Sequence, residues 1–181
     1  MSAGHGHIDP SNKKIALLIA VLALVLAFSE TLGKAAQTSA LSLNIEASNL
    51  WSFFQAKTIR QTVLRTAAEQ TSVAGPNEEA RKQVDAWRKT AQRYQTEPET
   101  GEGRDELMAR AKEAEKKRER AMAAYHQYEL ASAAVQIAIV LSSAAIITSA
   151  MALAWIGAGL GVVGIAFCLI GFLAPTAVHL F

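Results

Sequence analysis

The chain has 181 residues and a net charge of +2; 51% of its residues are hydrophobic and only 19% are charged. So small a net charge argues against a nucleic-acid partner, and a single cysteine, Cys168, rules out an intrachain disulfide. The charges are segregated: sixteen of the eighteen Lys and Arg lie between Lys34 and Arg120, and the other two are Lys13 and Lys14. This pattern predicts an all-α membrane protein that carries one polar domain.

Residues 1–14 read as a flexible tail broken by Asp9–Pro10. Its His5 and His7 lack the further ligands that a metal shell needs, so no metal is expected there. Ile15–Phe28 is then purely apolar, and Ser29, Glu30, Thr31 and Leu32 extend the run. Residues 15–33 are thus expected to be a first transmembrane helix, uncleaved because no small-x-small site closely follows the apolar stretch. Glu30 is the one acid in this span, and an intramembrane carboxylate is a functional candidate. Lys34 follows at i+4 in the favourable order, so an ion pair at the interface is the plainer expectation.

From Lys34 to Ser72 there is neither Pro nor Gly, so the helix is expected to run on. Ala36, Ala40, Leu43, Ala47, Leu50, Phe54, Lys57, Gln61, Leu64 and Ala68 recur at the 3-4 spacing of a coiled-coil seam. Lys57 and Gln61 interrupt it, as polar seam residues that set register do. A thinner apolar line, Ile45, Ile59 and Val63, falls on the opposite side. Two apolar faces call for two partners: the returning helix of the same chain and a neighbouring subunit. Trp51, Phe53 and Phe54 are expected in the hairpin core or a subunit interface; a bend near Ser48–Asn49 would instead lay them on lipid.

The stretch Glu30-Thr31-Leu32-Gly33-Lys34, then Ala36-Gln37-Thr38, Glu46-Ala47-Ser48-Asn49-Leu50-Trp51 and Phe53-Phe54-Gln55-Ala56-Lys57-Thr58-Ile59-Arg60, resembles a family of small bacterial membrane proteins known only as a domain of unknown function. The resemblance covers the N-terminal third well and the rest loosely, as far as Tyr125–Glu129. It implies a bacterial inner-membrane protein with an anchor, a helical middle and a terminal hairpin, and no activity. In that family the turn of the hairpin often carries basic residues; Ser149–Trp155 has none.

Gly75–Pro76 ends the long helix, Asn77 is a fitting N-cap, and Ala80, Val84, Trp87, Ala91 and Tyr94 continue a helical stripe to about Gln95. Glu97–Gly103 is a loop without the ligand spacing of a calcium site. A third helix begins near Arg104 with the seam Leu107, Ala111, Ala114, Arg118, Ala121, Tyr125 and Tyr128. Residues 34–127 are therefore expected to form a soluble antiparallel helical hairpin, with Tyr125 and Tyr128 marking the membrane surface.

Leu130–Val178 contains no charged residue. As one helix it would be about 73 Å long against a hydrocarbon core of about 30 Å, so it must fold back as two spans, placed at 130–148 and 155–174 with Trp155 at the turn. Gln136, Ser142, Ser143, Thr148 and Ser149 are candidates for interhelical hydrogen bonds, and Gly157-xxx-Gly161 for a close-packing face. Gln136 could also line a pore. Orientation signals conflict: Lys13 and Lys14 favour a cytoplasmic N-terminus, while Lys116, Lys117, Arg118 and Arg120 favour a cytoplasmic middle domain and outnumber them.

The expected function is a non-enzymatic structural or assembly protein without cofactors. Its partners would be the bilayer, further copies of itself and other membrane proteins. The alternative is a small oligomeric channel or transporter lined by Glu30 and Gln136. An enzyme is the weakest reading, since His126 and His179 have no evident nucleophile or metal partners.

Overall fold

The computed structural model describes residues 10–75 and 77–177. His5, His7, Pro76, Val178 and His179 lie outside the described residues. Four helices follow in order: α1 (Pro10–Val73), α2 (Glu78–Gln95), α3 (Arg104–Thr148) and α4 (Met151–Leu173), with no strand among the described residues. Three of them, α1, α3 and α4, are long and apolar enough to cross a membrane.

Two boundaries differ from the sequence expectations. Pro10 starts α1 instead of breaking it, because a proline suits the first helical position, where its missing N–H leaves no bond unmade. Residues 10–14 are therefore helical and not part of a flexible tail. The turn before α4 is only Ser149–Ala150, so Trp155 sits on the helix and not in the turn. Ser149 makes so short a turn by taking φ 55°, a left-handed conformation that costs a non-glycine residue about 1–2 kcal/mol. The expected continuation of α1 beyond Lys34 holds: the helix is unbroken through Ser48–Asn49, so the alternative bend there does not occur.

Compact packing divides the chain into two units. One holds the chain up to Ala40 and from Glu119 onward; the other is Leu41–Arg118. The expected 34–127 domain thus cedes both its ends to the apolar unit. On the α3 side the reason is visible: Gly171 of α4 comes within contact of Gln127 and Tyr128, so α4 covers α3 beyond its uncharged stretch.

In the apolar unit α1, α3 and α4 pack as three helices. Leu22, Val135 and Ala138 form one cluster with Leu18, Val25, Leu26, Ile139 and Leu160 around it, and Ile15, Ala145 and Ala154 form another. α3 and α4 run antiparallel and mesh at seven-residue steps: Ser142 faces Gly157, Val135 faces Gly164 and Tyr128 faces Gly171. A Cβ on Gly157 or Gly164 would collide with the opposite helix and one on Gly171 would press tightly against it, so the backbones approach as only small residues allow. Gly161 does the same for Leu22 of α1, and Gly33 of α1 gives room to Tyr128. Tyr128 is consequently buried, where an interfacial aromatic was expected. Ser29 donates to the Tyr128 carbonyl at 3.0 Å. Ser143 and Thr148, candidates for interhelical bonds, instead donate to Ile139 and Ala144 one turn back on their own helix.

In the Leu41–Arg118 unit the second half of α1, α2 and the first half of α3 form a three-helix bundle. Contacts of α1 with α3 step in opposite directions, from Asn44–Arg118 through Trp51–Glu115 to Gln61–Arg104, so these two are antiparallel. The core is Ala47, Leu50, Leu107, Ala111 and Ala114, flanked by Trp51 and Phe54. α1 stops where Gly75 takes φ +72°, a conformation that glycine adopts without steric cost. α2 starts at Asn77, whose side chain accepts from the Ala80 N–H at 2.9 Å, with Glu78 and Glu79 in the first turn complementing the helix dipole.

Candidate functional site

Three features concentrate chemistry or exposed surface. The first is a buried polar node in the Leu41–Arg118 unit. Lys57 and Gln61, the two polar residues of the α1 seam, are 5% and 2% exposed. Burying a charge is costly unless it is paired, and the loop after α2 supplies the pair. Lys57 Nζ lies 3.3 Å from Glu97 and 3.9 Å from Glu102, and it sits over the rings of Phe53 and Tyr94 at 5.4 Å each. Gln61 donates to the Ala91 carbonyl at 2.9 Å and to Gln95 at 3.1 Å. It also accepts from Arg104, the first residue of α3, whose guanidinium stacks 5.0 Å from the Phe54 ring centre.

The node ties α1, α2, the loop and α3 together at one level. Gln95 and Thr96 donate to Asp105, and the Glu97 N–H donates to Glu106. Gly103 makes this possible: a Cβ there would collide with Glu106 and with the backbone of Glu97 and Thr96. The loop acids thus serve as counter-charges within the fold. Nothing in the local sequence announces that Glu97 and Glu102 answer Lys57 forty or more residues earlier. The one signal was a lysine on an apolar seam, which requires an acid from somewhere.

The second feature is the pair Glu30 and Gln136. Gln136 Nε2 donates to Glu30 Oε1 at 3.3 Å, joining α1 to α3 in the apolar unit. Sequence spacing paired Glu30 with Lys34; here its polar contact among the described residues is Gln136. Both side chains are exposed, and on α3 Gln136 has the exposed Ile137 and Val140 beside it.

The third is the apolar line on the outside of α1. Leu41, Ile45, Ile59 and Val63 are 60%, 54%, 65% and 60% exposed. The candidate interface residues Leu43, Leu50, Trp51, Phe54, Lys57, Gln61 and Leu64 lie instead on the seam that the chain covers by itself, all of them buried or half-buried. Trp51 is fixed there by its indole N–H, which donates to Glu115 at 2.8 Å, and by an edge-on contact with Phe54. Gly157 and Gly161 are likewise used within the chain, against Ser142 and Leu22. A hydrophobic period shows that a face is covered, not which chain covers it.

No group of three or more His, Cys, Asp or Glu that could hold a metal ion occurs among the described residues. No curated protein and no solved structure matches the chain. A family does match, over residues 11–174, which takes in all four helices but for Pro10. The chain belongs to the domain of unknown function DUF4337.

Proposed function

We propose that this chain is a non-enzymatic membrane assembly protein that associates with further copies of itself through its helical stalk, in a bacterial inner membrane and with the 41–118 unit on the cytoplasmic side. The observation that carries this reading is the line Leu41, Ile45, Ile59 and Val63, four large aliphatic side chains left more than half exposed on a helix whose other face is fully used. An apolar stripe of this kind on a water-facing helix marks an interaction surface. The experiment is native mass measurement of the full chain in a mild detergent. The expected result is a dimer or larger assembly that Ile59→Glu with Val63→Glu reduces to a monomer. Both positions are exposed, so the double variant keeps its helix content. A monomeric wild-type chain overturns the reading.

The Glu30–Gln136 hydrogen bond favours a second reading, a small ion-conducting or transporting assembly, because it joins the two intramembrane polar candidates at one place. Proteoliposome flux that Glu30→Gln and Gln136→Leu abolish would support it, and unchanged flux in both variants would remove it.

A further inference from the structure

We propose that residues 41–63 of α1 are a self-complementary docking face for a second copy of this chain, the two segments lying antiparallel about Ser52. This rests on the self-association reading above and gives it a partner face, a register and a direction.

The exposed face of α1 in this unit is Leu41, Ile45, Ser48, Ser52, Ala56, Ile59 and Val63. Its steps are four, three, four, four, three and four, the spacing that keeps side chains on one face of a helix. All seven are exposed and none is charged. The order of steps reads the same in both directions. Reversed about Ser52, Leu41 comes opposite Val63, Ile45 opposite Ile59 and Ser48 opposite Ala56. Large residues then meet large ones near the two ends. Small ones meet at the centre, where the backbones must approach. This is the condition for a two-fold interface in which one patch serves both copies.

Charge selects the direction. Glu46 and Arg60 are exposed and lie on the same flank of the stripe, the one with Asn49 and Phe53. In the reversed pair each Glu46 falls within two residues, or about 3 Å along the axis, of the other copy's Arg60. In a parallel pair the same two residues stand fourteen positions, about 21 Å, apart along the axis, so neither pair forms. Two attractive pairs thus stand against none. An unrelated partner has no need of the palindrome; a second copy does.

The test uses the full chain in detergent with Cys168→Ala as background, so that each variant carries one thiol. Ile45→Cys and Ile59→Cys are made separately, and oxidation is followed on each alone and on their mixture. In the antiparallel pair the two copies of position 45 are about 21 Å apart along the axis, far beyond the roughly 4.5 Å between Cβ atoms that a disulfide spans. The expected result is therefore a disulfide dimer in the mixture and none in either variant alone. A disulfide in each variant alone overturns the antiparallel register while leaving self-association standing. A native dimer that yields no disulfide in any arm places the interface elsewhere and overturns the docking face. A chain that is monomeric by mass before oxidation removes the self-association reading itself.

Discussion

Replacing Lys57 by Met keeps most of the volume of the side chain and removes its ammonium group. That charge is 6% exposed at the side-chain level, against 19% for Glu97 at 3.3 Å. Breaking a fully buried pair costs about 3–5 kcal/mol. Here the loss is smaller, because Glu97 keeps Arg93 at 3.5 Å, and Met retains the apolar contact with Phe53 and Tyr94. Lys57→Met should therefore cost about 2 kcal/mol, the penalty of leaving Glu97 half-paired. Glu97→Gln should cost about 1–2 kcal/mol, since Lys57 then relies on the more exposed Glu102 and on the two rings. The double variant removes both charges together and should be more stable than the sum predicts, by a coupling of about 1–2 kcal/mol. Urea unfolding of the full chain in a mild detergent, followed by tryptophan emission, gives all four corners of this cycle. A coupling below about 0.5 kcal/mol, the range seen for independent sites, would refute the assignment of Glu97 as the counter-charge of Lys57.

Gly103→Ala should destabilise by about 1–3 kcal/mol in the same assay, because the added methyl meets the unyielding backbone of Thr96 and Glu97 as well as the Glu106 carboxylate. Trp51→Phe keeps most of the ring packing but loses the hydrogen bond to Glu115, and should cost about 1–2 kcal/mol. Ser142 is fully buried with a hydroxyl that finds no hydrogen-bond partner among the described residues, so Ser142→Ala should raise the thermal midpoint, by up to about 1 kcal/mol of stability. Ser149→Gly should stabilise as well, by relieving the left-handed turn, and Ser149→Val should do the reverse.

Much of this fold is legible in the residues alone. Ala40, Ala47, Leu50, Lys57, Gln61 and Ala68 form the buried face of α1, just as their 3-4 spacing requires, and Gly75 and Asn77 divide α1 from α2 as their backbone preferences demand. What the spacing withholds is the partner. The seam reads equally well as an oligomer interface, yet α2 and α3 of the same chain fill it. The Glu30–Lys34 spacing invites a local pair, but Gln136, 106 positions later, supplies the donor. Trp155 suggested a turn at the membrane surface because tryptophan favours that depth; the structure needs only two residues to reverse the chain. In each case local preference is visible and a contact made through the third dimension is not.

The meshing of α3 with α4 has a mechanical consequence. Like two racks with one tooth every second turn, the helices present a bulky group on one side and a notch on the other at Ser142–Gly157, Val135–Gly164 and Tyr128–Gly171. A slip of three or four residues would drive Val135 or Tyr128 against side chains instead of notches, and the next matching position is a full seven residues, about 10 Å, away. Piston-like sliding of α4 along α3 by anything less than that full step is thereby opposed.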